Sequence, residues 1–238
     1  MIELSLYIPV AIATGIAAFV QGAIGIGFAL VVAPIMGLLI PGLLPVALLV
    51  LMLPLNLFVA LRERSAIDWR GSAWITAGRL PGTLLGLWIL VILSVEGLNQ
   101  VVGASTVLAV LAALFAPVFR PGGTACVSVG VITGITETAT GVGGPPLALL
   151  YQHRPGPELR STIACCFLAG ELISLAILAV VGRITAEQLW WALALVPPLL
   201  VGSVASRVVH QRIDARRLRQ GVLLFALVSG LLLLIPHY

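Results

Sequence analysis

Residues 5–61 contain no Asp, Glu, Lys or Arg. A soluble domain carries charge at about a quarter of its positions, and an amphipathic helix needs polar residues on its water-facing side. A run this long without charge has no face suited to water. The rest of the chain follows suit: of 238 residues, 60% are hydrophobic and 9% charged, and the mean hydropathy is +1.15. The fold class this implies is an all-α polytopic membrane protein embedded in the lipid bilayer, because a spanning helix satisfies its own backbone groups where no water can.

The charges that do occur are informative. All 13 basic residues are Arg, and the net charge of +4 bears on membrane orientation rather than on nucleic acid, which is not an expected partner. The start, MIELSLYIPV, carries Glu3 and no basic stretch, so no cleaved signal peptide is expected. Cys126, Cys165 and Cys166 sit in apolar segments without metal-ligand spacing and read as reduced packing residues. His153, His210 and His237 fall outside the apolar segments. No metal, nucleotide or Ser–His motif is visible, so no cofactor is expected.

Gly, Pro and charged residues divide the chain into segments 6–21, 28–39, 43–61, 72–93, 99–118, 124–137, 145–152, 161–181, 188–206 and 218–235. Two of the interruptions fall inside apolar sequence: GAIGIG at 22–27 and TETATGVGGPP at 136–146. Gly costs about 1 kcal/mol relative to Ala in a helix interior and Pro about 3. Pro145 suits the first turn of a new helix. One helix is therefore expected to end near Glu137 or Thr138 and the next to begin near Pro145. The flanking segments 6–21, 28–39 and 145–152 are short for full spans, which need about 20 apolar residues.

The halves match at a constant offset of 116 residues: Gly25 with Gly141, Gly27 with Gly143, Pro41 with Pro157, Trp74 with Trp190, Pro81 with Pro197 and Gly86 with Gly202. Gln21 falls on Glu137. This predicts an internal repeat, 1–120 and 121–238, within one integral domain. Arg62, Arg64, Arg70, Arg120, Arg154, Arg160 and the five Arg of 207–219 fall on one side when sides alternate, against Arg183 alone on the other. Arg-rich loops stay cytoplasmic, so both termini are expected outside, periplasmic in a bacterium. Each half has an odd number of segments, so the halves are expected to be inverted.

Inverted repeats with broken helices are a transporter architecture whose site lies near the midplane. The breaks would meet there, with the starts of segments 28–39 and 145–152 offering unpaired N–H groups and the positive end of a helix dipole to an anion. The candidate substrate-binding residues are Gln21, Gly22, Gly25, Gly27, Arg79, Glu137, Thr138, Thr140, Gly141, Gly143 and Gly144. The competing reading of each glycine is tight helix packing. Arg79, Glu137 and Glu171 are intramembrane ionisable residues, which are functional candidates by default. Glu137 and Glu171 are the candidate proton-coupling residues; Arg79 could instead snorkel, Glu137 cap nearby N–H groups and Glu171 pair with Arg79. Asn56 and Gln21 are expected to satisfy broken backbone. Trp69, Trp74, Trp190 and Trp191 are expected in an interfacial belt.

The modules QGAIGIGFALVVAPIMGLL and GITETATGVGGPPLALLY, each followed by Pro-x4-Gly (Pro81–Gly86 and Pro197–Gly202), resemble the sulfite exporter TauE/SafE family over nearly the whole chain. Gly22, Gly25 and Gly27 match in the first module, and Gly141, Gly143, Gly144 and Pro145 in the second; Phe28 and Ala29 stand where the second has Gly144 and Pro145. The resemblance implies a secondary transporter of sulfite or an organosulfonate in the bacterial inner membrane, with a small anion as substrate. A cation transporter or channel using Glu137 and Glu171 is the alternative, and an intramembrane enzyme is a third. Direction, coupling ion and a homo-oligomeric state stay open on sequence.

Overall fold

The computed structural model describes residues 3–24, 27–115, 122–209 and 215–235. Gly25, Arg120, His210, Arg212 and His237 lie outside the described residues, as do the side chains of Arg207, Arg216, Arg217 and Arg219. The described residues form α1 (Leu4–Ile24), α2 (Phe28–Leu39), α3 (Val46–Arg62), α4 (Trp69–Ile92), α5 (Val95–Phe115), α6 (Gly123–Thr140), α7 (Gly144–Tyr151), α8 (Gly156–Val180), α9 (Ala186–Ala194), α10 (Val196–Val209) and α11 (Ala215–Leu234). No strand occurs among them.

Among the described residues five stretches are long and apolar enough to cross a bilayer: Leu4–Ala23, Trp69–Ile92, Val95–Phe115, Gly156–Val180 and Ala186–Ser206. The first corrects the expectation of a short opening segment, because α1 continues past Gln21 to Ile24. α7, with eight residues, rises about 12 Å against a hydrocarbon core of about 30 Å and cannot span it. The expected segment 188–206 is split at Leu195 into α9 and α10. Two consecutive prolines, Pro197 and Pro198, remove adjacent N–H donors there. In α4 the matching Pro81 is followed by Gly82, and the helix runs through.

Packing is led by α4 against α6, then by α1 against α10, with α3 on α8 and α5 on α11 following. α6, GTACVSVGVITGITETAT, is rich in Gly and β-branched residues that are poor intrinsic helix formers. Lipid forces the helix on it, and close contact with α4 holds it. A Cβ on Gly78 or Gly82 would strike the carbonyl oxygens of Val127 and Val131, and one on Gly134 would sit 2.8 Å from that of Arg79. Small residues at four-residue spacing are what lets two backbones approach this closely. Gly202 meets the backbone of Gly15 in the same manner where α10 crosses α1.

The 62–70 loop meets the start of α8 at one end of the molecule. Arg160 Nη2 donates to Glu63 Oε1 at 2.8 Å, and the Asp68 N–H donates to Thr162 Oγ1 at 3.0 Å. Tyr151, the last residue of α7, donates its hydroxyl to Asp68 Oδ2 at 2.9 Å. Asp68 Oδ1 meanwhile caps α4 by accepting from the Gly71 N–H. Trp69, Trp74 and Trp190 are exposed, but Trp191 is buried, 6.3 Å from Tyr7 between ring centroids. Adjacent residues lie about 100° apart around a helix, and in this phase of α9 Trp190 faces outward while Trp191 turns into the core.

Candidate functional site

The second break is built by its own residues. Gly141 takes the left-handed conformation, φ +80°, and its N–H closes α6 on the Glu137 carbonyl at 2.7 Å. Glycine accepts that conformation without the Cβ penalty. The helix thus ends slightly later than expected, at Thr140. Thr140 Oγ1 donates to the Thr136 carbonyl at 2.7 Å and accepts from the Val142 N–H at 3.1 Å. α7 starts at Gly144, followed by Pro145 and Pro146. Of the four N–H groups that a helix start leaves unpaired, the two prolines remove two, and those of Gly143 and Gly144 remain.

In the first break Gly27 has φ +120° and precedes α2. Gln21 Oε1 accepts from the Phe28 N–H at 3.2 Å, as expected of a residue that satisfies broken backbone. The next two N–H groups at that helix start belong to Ala29 and Leu30.

The two breaks meet. One cavity of about 20 Å³ is lined by Gln21, Gly27, Ala29 and Leu30 from the first and by Val142, Gly144 and Pro145 from the second. Met52 of α3 and Phe167 of α8 complete its wall. It has room for roughly one water. Two helix starts therefore border one small space, carrying N–H donors on both sides and apolar side chains between.

Beside this cavity lies a buried charged cluster. Arg79, Glu137 and Glu171 are all 0% exposed. Arg79 Nη2 pairs with Glu137 Oε1 at 2.5 Å, and Arg79 Nη1 donates to the Cys166 carbonyl at 2.9 Å. The guanidinium lies over Gly170 so closely that any Cβ there would collide with it. Burial rules out snorkelling for Arg79. Glu171, expected to pair with Arg79, instead accepts from Asn56 Nδ2 at 2.6 Å. Asn56 therefore serves a carboxylate rather than broken backbone. Thr138 Oγ1 and Ser174 Oγ are 2.8 Å apart and share a hydrogen bond. Arg79 Nε, Glu137 Oε2 and Glu171 Oε2 are buried without a hydrogen-bond partner.

The sulfite exporter TauE/SafE family matches residues 10–233 of the chain. The chain belongs to that family. No curated protein and no solved structure matches it. TauE/SafE proteins are membrane transporters, not enzymes, and this one is accordingly a multi-pass membrane protein.

Within this TauE/SafE chain the sequence-predicted residues fall into three groups. Gln21, Gly27 and Gly144 line the cavity. Arg79, Glu137, Thr138 and Glu171 form or border the buried cluster. Gly22 is a packing glycine, since a Cβ there would strike Ser206 Oγ of α10. Gly141 is the helix cap, and Gly143 makes room for Glu137, whose Oε2 would lie 2.5 Å from a Cβ at that position. Gly170 and Ser174 escaped the sequence reading, and Cys166 reads from sequence only as a packing residue, whereas its carbonyl accepts from Arg79. Gly170 directly before Glu171 was the available signal: an intramembrane Gly beside a Glu leaves space for a partner's side chain.

Proposed function

We propose that this protein carries a small sulfur oxyanion, sulfite or an organosulfonate, across the bacterial inner membrane by alternating access, using two inverted repeats, 1–120 and 121–238. The observation that carries the reading is the single cavity shared by both breaks. The anion sits between Gln21, Gly27 and Gly144, held by the N–H groups of Ala29, Leu30, Gly143 and Gly144. Hydrogen bonds to an ionised acceptor are roughly twice as strong as neutral ones, so a few backbone donors suffice without clamping the substrate. At about 20 Å³ the cavity is closed down, and loading requires the tips to part.

The helix pairing supports the repeat. Shifted by 116 residues, α4 on α6 becomes α10 on α1, and these are the two most extensive pairs. The hairpin α1–α2 becomes α6–α7, and α2 on α11 becomes α7 on α5. The meeting of the 62–70 loop with the start of α8 fits the expectation that the 62–70 and 153–160 stretches both face the cytoplasm, with the termini outside.

Proton coupling follows from charge. An anion arriving beside one Arg and two Glu, none exposed, adds negative charge to a site where unpaired charge is costly. A proton on Glu137 or Glu171 offsets it. The cation reading is weakened because Glu137 is engaged by Arg79 and Glu171 by Asn56. Reconstituted protein should move sulfite or a small sulfonate, accelerated by an imposed pH gradient, and should not move divalent cations. Cation flux with no anion flux would reverse the assignment.

A further inference from the structure

A second cavity, of about 170 Å³, lies between α1, α3 and α10. It shares Gln21 with the tip cavity and extends through Val59, Ser203 and Ser206 to Arg62 at the end of α3. Gln21 is 4% exposed. Its Oε1 is engaged by Phe28, while its Nε2 donor makes no hydrogen bond among the described residues. At the other end Arg62 Nη2 and Arg160 Nη2 both contact Glu63 Oε1, at 2.9 and 2.8 Å. Two Arg against one Glu leave that mouth net positive. No Asp or Glu lines the cavity.

The repeat relation adds a contrast. Shifted by 116 residues, Val59, Arg62, Ser203 and Ser206 fall on Leu175, Leu178, Leu87 and Leu90. Those four leucines pack together in one apolar cluster between α3, α4 and α8. Equivalent positions thus border, in one half, a hollow whose otherwise apolar wall carries Gln21, Arg62, Ser203 and Ser206, and form a leucine seal in the other. In an alternating-access carrier built on such repeats, the two access routes are equivalent by symmetry and open in turn.

We propose that the α1–α3–α10 cavity is the anion's route between the tip cavity and the Arg62 face, open in this structure, and that Leu87, Leu90, Leu175 and Leu178 are the closed gate on the opposite face. The ligand is a small hydrated anion. Arg62 gathers it at the mouth, Ser203 and Ser206 mark the polar strip along an otherwise apolar wall, and Gln21 Nε2 hands it to the helix starts. The carboxylates are confined to the α4–α6–α8 side, so the anion's path and the proton's site are separate. This inference rests on the proposed function and on the inverted repeat.

The test uses the full chain in proteoliposomes. Ser203→Leu places in the route the residue that stands at the matching gate position, and Arg62→Glu reverses the mouth at a side chain 38% exposed. Each should lower sulfite flux tenfold or more, and Arg62→Glu should also flatten its dependence on ionic strength, as electrostatic steering requires. Wild-type flux in either variant overturns the route. If Ser203→Leu does not fold, Arg62→Glu decides alone. Wild-type protein that moves neither sulfite nor a small sulfonate refutes the proposed function and this route with it. Wild-type transport with unaffected variants refutes the route only.

Discussion

Arg79→Met tests the buried cluster most directly. The side chain is 0% exposed, pairs with Glu137 and donates to the Cys166 carbonyl. Removing one partner of a buried ion pair costs about 3–5 kcal/mol, chiefly because the other charge is left uncompensated. The Cys166 hydrogen bond is part of that figure. Arg79→Met/Glu137→Gln removes both charges and leaves Glu171 with Asn56. It should recover about 1–3 kcal/mol relative to the sum of the single substitutions, the coupling expected of contacting residues. Thermal unfolding of the full chain in detergent reads this. At about 2–4 °C per kcal/mol for a chain of this size, Arg79→Met should lower Tm by roughly 6 °C or more, with the double variant partly restored. If the two single effects simply add, the pair does not hold α4 to α6 as argued. The reasoning from buried charge would then fail.

Other expectations concern coupling, the cavity and topology. Glu137 is titratable where the other half has Gln21, so Glu137→Gln should abolish the response of transport to a pH gradient while leaving anion exchange; an unchanged response in vesicles returns Glu137 to a structural role. A Cβ on Gly144 would meet only Phe167 Cζ, at 3.6 Å, so Gly144→Ala should fold normally, while Gly144→Val should fill the cavity and weaken sulfite binding tenfold or more. Sulfite titration of both in detergent checks this, and wild-type affinity in Gly144→Val moves the site elsewhere. Because the Arg of 62–70 and the five Arg of 207–219 fall on the same side when sides alternate, Cys introduced at Ser65 and at Ala215 should react with an impermeant reagent from the same membrane face, the cytoplasmic one. Labelling from opposite faces excludes the inverted arrangement.

Local chemistry was legible in the sequence where a residue type leaves a single outcome. The bounds of α2 were as expected, and Gly141 with the two prolines that follow marked the second break. Where two residues compete for one surface, sequence was ambiguous. Trp190 and Trp191 both read as interfacial, and only the helix phase decides which one turns inward. Partners distant in the chain were not legible either. Arg79 had two candidate carboxylates, and its choice of Glu137 follows from the approach of α4 to α6 permitted by Gly78, Gly82 and Gly134. The same geometry makes Gly143→Val an ambiguous probe of substrate contact, since the added side chain meets Glu137 before it meets any ligand.

The short α7 has a mechanical consequence. One end, Gly144, is wall of the buried cavity, and the other, Tyr151, is bonded to Asp68 in the 62–70 loop. Eight residues of helix make a stiff strut of about 12 Å between them. A helix resists axial compression, so a displacement of the loop is delivered to the cavity wall with little lost on the way. The loop's ties to Arg160 and Thr162 bring the start of α8 into the same linkage. A pull on that surface loop is thus a pull on the wall of the tip cavity.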